Sequence, residues 1–560
     1  MRRKICSGKI GTVPISVKTR VWGQSLFFCC VKFRHCEPRR GEAIPFLRLL
    51  RTLRGLAMTV SLIVICCGST TPAQDIQTFD IDEYIASAAV KKTLRIGLVD
   101  CVAMALKNNS EIKVKRITPL IEDANVRIEK ARFEPELSFD FTIEDDTDLS
   151  PNTLSGTTTT KTRTGKFDFG FDEKFVTGTE LSIDFLNTRT RSNSRIQTMN
   201  PQFDSQAAVT ITQPLLKGFG IIVNKADFLV AKNNALKSKQ ELAQEVIAVL
   251  TDVKKNYYNF QYSQERYKVA KLAVERVRGL YDINKEKYAK GIASNVELLE
   301  SEAEVARQEE ELFAAERSMK LAEDNLKLIT NLVDDPELWN ADIILLDSLD
   351  YESKAVDLVE AMKAAFVSRP DYEAGKIDLK NKDISVIYYK NNMLPVVDLT
   401  GSYGLNGLGK NYEKDLGHIG AGKYPDWLVG VTVKVPLFSE EEKGRYDKSK
   451  FEKEQALLNF KRLEQRIILE VRDAVRNIDI KYRMSEAARK SKEAQEKNYE
   501  AQSSRFSAGL VSTLDIVVYQ ERLAEAQTNY IKAVTDYRIA EIELAKAKGT
   551  TLIEDNITIE

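Results

Sequence analysis

Two eleven-residue strings, Tyr288 to Leu298 and Phe506 to Ile516, repeat one pattern at an offset of 218: an aromatic, a glycine three residues on (Gly291, Gly509), a serine three further (Ser294, Ser512), then an acid (Glu297, Asp515). An internal repeat constrains a fold more than any single motif, because each copy must take the same local structure. Other landmarks repeat as well. Asn109 and Pro135 match Arg369 and Pro395 at an offset of 260, and Pro214 with Leu215 matches Pro436 with Leu437 at 222. The difference between these offsets leaves 38 extra residues between the landmarks of the first half.

No proline lies between Pro214 and Pro336 and none follows Pro436, so each half can run as helix, turn and helix without a break. Leading helices are expected from about Asn224 to Lys290 and from about Arg445 to Ala508. Val246, Leu250, Val253, Tyr257, Phe260 and Tyr267 keep a near-heptad spacing in the first, and Phe460, Leu463, Ile467, Val471, Ala474 and Ile478 do so in the second. These read as coiled-coil seams on rods of roughly 100 Å, at about 1.5 Å per residue. Gly291 and Gly509 fit left-handed C-terminal caps, so each half becomes an antiparallel helical hairpin. Its returning helix opens on Ser294-x-x-Glu297 or Ser512-x-x-Asp515, the spacing of a capping box.

Ahead of each rod the hydrophobic period changes from helical to alternating. Leu137, Phe139, Phe141 and Ile143 alternate with Ser138, Asp140, Thr142 and Glu144. The pattern returns around Phe167 to Phe171, Leu181 to Phe185, Val209 to Ile211, Val397 to Tyr403 and Leu428 to Val435. Strands that are apolar on one face and polar on the other suit a membrane barrel around a wet lumen. The stretches 146–162, 191–204 and 406–426 read as long polar loops, and Val176 to Thr179 as a tight turn.

The first 73 residues stand apart. Six of the seven cysteines lie among the first 67 positions, leaving Cys101 alone afterwards, so no internal disulfide is expected. Residues 1 to about 50 read as an upstream extension. Arg51 and Arg54 precede an apolar run from Leu56 to Cys67 and a small, polar stretch to Ala73, the order of a secretory signal peptide. Cys66 or Cys67 as a lipidated first residue stays open, against the bulky Ile65 before them. No later stretch approaches the ~20 apolar residues of a transmembrane helix. Any crossing of a membrane is then made by strands.

Lys+Arg and Asp+Glu number 82 each, a balance that argues against nucleic-acid binding. There are two histidines, His35 in the leader and His418. Gly417 to Lys423 has phosphate-loop spacing, but Tyr424 stands where a magnesium-holding Ser or Thr belongs and Pro425 obstructs the required helix, so it reads as a Gly-rich surface loop with an exposed His418. No metal-site spacing is present, and neither a catalytic constellation nor a cofactor is expected.

With the Gly291 and Gly509 strings, the Gln213 to Gly220 segment and the duplicated order of strands, rod, turn and rod, the chain resembles the TolC-type outer-membrane efflux protein family from about Leu94 to Gly549. The fold class expected is an internally duplicated α+β membrane protein, with transmembrane β-barrel strands joined to coiled-coil helical hairpins. The resemblance implies a homotrimer in the outer membrane whose hairpins form a periplasmic α-barrel. It further implies four strands per subunit in a shared barrel of twelve, in contact with outer-membrane lipid. A periplasmic adaptor (membrane fusion) protein and an inner-membrane pump or ABC transporter would be its partners, in efflux or type I secretion. A structural coiled-coil protein of the envelope is the alternative, and an enzyme is disfavoured.

The expected layout is an extension with signal peptide (1–73), a linker (74–93), a first repeat (94–331), an equatorial linker (332–355), a second repeat (356–548) and a tail (549–560). The first repeat holds a short helix, strands over about 135–213 and a hairpin over about 220–331; the second holds a helix, strands over about 396–437 and a hairpin over about 440–548. The surplus of 38 reads as an added strand hairpin centred on Val176 to Thr179, giving four strand stretches where the family has two. Either it joins the barrel, for six strands per subunit and eighteen in a trimer, or it folds outside the wall or in the lumen of a barrel of twelve. The resemblance also implies an acidic constriction just past the hairpin turns, at Glu297, Asp515 and, one turn on, Glu300. The alternative for Glu297 and Asp515 is capping alone. Val518 stands where a second-half counterpart of Glu300 would lie.

Overall fold

The computed structural model describes residues 93–149 and 156–558. The leader, Cys66 and Cys67, nearly all of the 74–93 linker, the middle of the first long loop and the last two residues lie outside the described residues.

The described residues begin with β1 (Thr93–Ile96) and two short helices, α1 (Leu98–Asn108) and α2 (Ser110–Ala131). After the first repeat, α5 (Leu358–Ser368) and α6 (Pro370–Asn392) reproduce this pair at the offset of 260. The two halves start their second helix by different chemistry. The Asn109 carboxamide oxygen accepts from the Glu111 and Ile112 amides, while Pro370 supplies a first-turn residue that has no amide to satisfy.

Between the short helices and the rods lies one antiparallel sheet of six strands. The first half gives β2 (Glu136–Leu149), β3 (Thr159–Lys174), β4 (Glu180–Ser192) and β5 (Gln202–Pro214); the second gives β7 (Val396–Gly409) and β8 (Pro425–Lys434). Their order is β2-β3-β4-β5-β7-β8. By position β2 corresponds to β7 and β5 to β8, so β3 and β4 are the surplus. They turn at Phe175 to Thr179, where the Phe175 amide donates to the Thr179 carbonyl. The hairpin is woven into the sheet, paired with β2 on one side and β5 on the other.

In-register partners share a face, and Phe139, Phe169, Phe185, Ala207, Leu405 and Pro425 form one such row across all six strands. The neighbouring row on that face is Leu137, Phe171, Ile183, Val209, Tyr403 and Trp427. Much of this apolar face is exposed, with Phe141 at 72% and Trp427 at 74%. The opposite face carries Asp140, Asp168, Asp172, Asp184, Asp398 and Asp426.

The rods follow. α3 (Ala226–Ala289) returns as α4 (Asn295–Ile329), and α8 (Glu440–Ser507) returns as α9 (Thr513–Lys548). α3 and α9 pack on each other and join the hairpins. The heptad positions Val246, Leu250, Val253, Tyr257 and Phe260 are buried, but their neighbours are not other rod residues alone: the cluster includes Cys101, Val102 and Ala105 of α1, Ile112 of α2 and Leu326 of α4. In the second half Ile467 and Val471 pack on Ala361 and Ala365 of α5. Small residues at Ala105 and its counterpart Ala365, both fully buried, let the short helices approach the rods.

Two features depart from the sequence reading. The linker after α4 holds β6 (Asp342–Leu345), which pairs in parallel with β1 across more than 240 residues of chain. The 406–426 stretch is not one continuous loop, because its ends belong to β7 and β8 and α7 (Tyr412–Gly420) occupies its middle. Asn411 caps α7 by accepting from the Lys414 amide, and Asp415, fully buried, receives the Ser205 hydroxyl. Gly407 and Gly409 permit this docking: a Cβ at Gly407 would lie 2.4 Å from the Asp415 carbonyl oxygen, and one at Gly409 2.8 Å from the Asp415 amide. His418 is half-buried, edge-on to Tyr424, rather than exposed.

Candidate functional site

At the far end of each hairpin the chain reverses through Gly291 and Gly509, at φ +70° and +73°. Such values are strained for any residue with a Cβ. Ile292 and Leu510 then donate their amides back to the Lys287 and Arg505 carbonyls, each five residues earlier. This matches the helix-ending geometry that glycine permits.

The returning helices start in reciprocal caps. Ser294 Oγ accepts from the Glu297 amide at 3.2 Å while the Glu297 carboxylate accepts from the Ser294 amide at 3.0 Å. Ser512 and Asp515 repeat this at 3.2 and 3.3 Å, and the Ser512 hydroxyl also donates to Asp515 at 2.7 Å. Those bonds hold the Asp515 carboxyl below the usual carboxylate range. Both acids remain exposed, as does Glu300 on the next turn.

The two tips meet each other. Leu280, Phe506 and Ile516 form a small buried cluster, and the Asn284 amide donates to the Thr513 hydroxyl at 3.2 Å. Lys287 stands 4.6 Å over the Phe506 ring. Arg307 of α4 reaches both Glu304 and Glu521 of α9. Within the chain, then, the tips are tied through apolar, polar and aromatic contacts, with the two capping carboxylates and Glu300 at the exposed surface.

Closer to the sheet, the segment after α4 is hung from both hairpins. The fully buried Tyr257 donates its hydroxyl to Asp347 at 2.6 Å, the Leu98 amide donates to the same carboxylate at 2.7 Å, and Tyr537 of α9 donates to the Glu352 carbonyl at 2.7 Å. Burial and the Asp347 charge push the Tyr257 hydroxyl well above the ordinary tyrosine range. The sequence reading assigned Tyr257 to a seam, and no local spacing could have shown that its hydroxyl meets an aspartate 90 residues away. Arg369 was read only as a repeat landmark. It is a junction, pairing with Asp371 and Glu470 at 2.7 Å each and donating to the Ala547 carbonyl.

Among the described residues no cluster of three or more His, Cys, Asp or Glu is placed to hold a metal, and no helix is long and apolar enough to cross a membrane.

The chain belongs to the outer membrane efflux protein family, whose pattern matches residues 179–332 and 362–550, more than half of its length. The first match begins inside the turn of the surplus hairpin. Membership makes it an outer-membrane protein that extends into the periplasm. The toluene efflux pump outer membrane protein TtgC of Pseudomonas putida is 23% identical over 317 residues, covering 56% of this chain and 63% of that protein. The antibiotic efflux pump outer membrane protein ArpC of P. putida is 22% identical over the same shares. The chain thus spans less than two thirds of the length of these relatives. Its fold is similar to the CmeC outer membrane channel of Campylobacter jejuni, with TM-score 0.61, 17% identity, and 82% of this chain and 90% of that one covered. It is also similar to the open-state MtrE channel of Neisseria gonorrhoeae, with TM-score 0.58, 16% identity, and 81% and 89% covered.

Proposed function

We propose that the chain is a passive export duct, not an enzyme, that works as a homotrimer and receives its cargo from a periplasmic adaptor and an inner-membrane pump or ABC transporter. The observation that carries this reading is the sheet: one face exposes rows of Phe, Val, Leu and Trp, the other is rich in aspartate, and the strands lead directly into the rods. A sheet with a greasy exterior and a wet interior is what a lipid-embedded pore needs.

The rods support a ring. α3 packs on α9 within the chain, while their repeat partners α8 and α4 keep apolar side chains exposed at the matching level, among them Ile480 and Met484 on α8 and Phe313 and Leu321 on α4. A second copy that sets its α8 against α4 of the first would repeat the α3–α9 contact and cover both. Closure of such a heterologous contact gives a ring rather than a filament.

At the tips, threefold symmetry would bring three copies of Glu297, Glu300 and Asp515 toward one axis, as a negative constriction that favours cations and weakens with salt. Glu297 and Asp515 are engaged in their caps, so Glu300 is the least committed of the three. The reading is tested by isolating the outer-membrane fraction and reconstituting the protein in planar bilayers. A heat-resistant trimer with cation-selective conductance is expected, raised in the Glu300→Gln, Asp515→Asn double variant. A protein that forms no pore favours an envelope scaffold, and unchanged conductance and selectivity in the double variant removes both acids from the constriction.

A further inference from the structure

We infer that this chain builds a barrel of eighteen strands, six from each of three copies, with β8 of one copy pairing to β2 of the next. The inference rests on the trimeric duct proposed above and concerns the wall of that duct.

Three observations carry it. The first is that β3 and β4 are full members of the sheet. β3 pairs with β2 without a break from Glu136↔Asp172 to Leu149↔Thr159, and β4 pairs with β5 from Glu180↔Thr212 to Thr190↔Gln202. The apolar rows run through them, and Phe139 and Phe169 meet edge to face at 5.1 Å across the β2–β3 seam. A barrel of twelve would need β2 to leave β3 and pair with β5 instead, breaking both ladders and stripping two strands of their apolar neighbours.

The second observation is that the turn of the hairpin is fastened where sheet becomes rod. The Gly220 amide donates to the Thr177 carbonyl at 3.4 Å, and Thr179 Oγ1 donates to Gln213. Gly178 lies so close to the Gly218 carbonyl that a Cβ there would stand 2.4 Å from it, and φ is +93° at Gly178 and +82° at Gly218. A hairpin folded away from the wall would have to give up this junction.

The third is the state of the two edges. β2 and β8 end the sheet, and both present exposed apolar residues on the same face, Leu137, Phe139, Phe141 and Ile143 on one and Trp427, Val429, Val431 and Val433 on the other. In lipid an open edge leaves backbone amides and carbonyls without partners, at several kcal/mol each. The occupant that fits is another copy of this sheet. Six strands alternate in direction, so β8 of one copy meets β2 of the next antiparallel, and the apolar faces stay on one side all the way round. An added pair of strands preserves this parity; a single added strand would destroy it.

Barrel width grows roughly in proportion to strand number, so eighteen strands make the barrel about one and a half times as wide as twelve. Each copy still brings two helical hairpins. The duct therefore widens toward the cell exterior, and its narrowest part lies among the rods or at their tips.

The test compares the full chain with a variant lacking residues 156–193, thirty-eight in all. Spin labels are placed on the exposed face of β7 by Tyr403→Cys in both. The native Cys101 stays unlabelled because it is buried with its thiol pushed up to about 12, and the leader cysteines precede the cleavage site expected near Ala73. The distance between copies is expected to fall by about a third on excision. Equal distances in two intact trimers overturn the inference. Because the shortened chain can fail to assemble, the strands of the full chain are also counted by electron cryo-microscopy in lipid nanodiscs. Eighteen in the wall supports it; a trimer with twelve overturns it alone; a full chain that forms no trimer overturns the export reading and this one together.

Discussion

The first half of the chain spends 79 residues between the start of β2 and the end of β5, whereas the second half spends 39 between the start of β7 and the end of β8. The rods on either side of this difference are nearly alike: α3 has 64 residues and α8 has 68, and the returning helices have 35 and 36. A sheet accepts a whole hairpin because each new strand satisfies its backbone against its neighbours and keeps its apolar side outward. Packed rods accept no such insertion, since added turns in one would shift every later knob out of its hole. Variation has therefore entered where the structure grows sideways and been excluded where it must stay in register.

The largest test of the likeness between halves lies at Phe260 and its counterpart Ile478, 1% and 4% exposed. Phe260→Ala is expected to cost about 3–5 kcal/mol, and Ile478→Ala about 2–5, followed by denaturant unfolding of the protein in detergent. If Phe260→Ala leaves stability within error of wild type, the first rod is not anchored at this level and the two halves differ more than their lengths suggest.

Next comes a site with no first-half equivalent among the described residues. Gly407→Val drives a side chain into the Asp415 backbone and is expected to cost about 2–3 kcal/mol, with faster amide exchange through Tyr412 to Gly420. Unchanged exchange there would mean that α7 does not need the close approach. A smaller effect, about 1–2 kcal/mol each, is expected for Gly291→Ala and Gly509→Ala, because both sit at positive φ in matching turns. A clear inequality between the two would separate the tips despite their common string.

The smallest effect is about 1 kcal/mol, for Ser294→Ala and for Ser512→Ala, read as fraying of α4 and α9 by hydrogen exchange. The second tip adds a pH dependence. Asp515 titrates below its ordinary value when folded, so its capping contribution is complete above the unfolded carboxyl value and is lost as pH falls through the lowered one. Protection near Thr513, taken relative to the intrinsic exchange rate at each pH, should accordingly weaken in acid in the wild type and change less in Asp515→Asn. Equal acid sensitivity in the two proteins would remove Asp515 as the cause.

Much of this architecture was legible because it is written in long periods. The gap between Pro214 and Pro336 exposed the first rod, the two glycine strings exposed the turns, and the alternation at Phe139, Phe169 and Phe185 exposed three strands that the structure sets side by side. What escaped is short or distant. β1 and β6 have four residues each, too few for an alternating signal, and pair across the whole first repeat. α7 contains Gly417 and ends at Gly420, so its sequence reads as a loop; Asn411, Asp415 and the missing side chains at Gly407 and Gly409 make it a docked helix. The capping residues at the tips were readable from spacing alone, whereas the tie between Asn284 and Thr513 depends on how two hairpins approach and leaves no local trace.

The suspension of residues 347 to 352 from Tyr257 and Tyr537 has a mechanical consequence. Because one short span is bolted to both pairs of rods, the pairs cannot swing apart at that level without withdrawing two buried phenols from their acceptors. Any splaying must therefore pivot there and grow with distance along the rods, like the jaws of tongs beyond their rivet. A modest tilt at the rivet becomes a wide excursion at Gly291 and Gly509, where the few bonds in the way are the easiest to exchange for water.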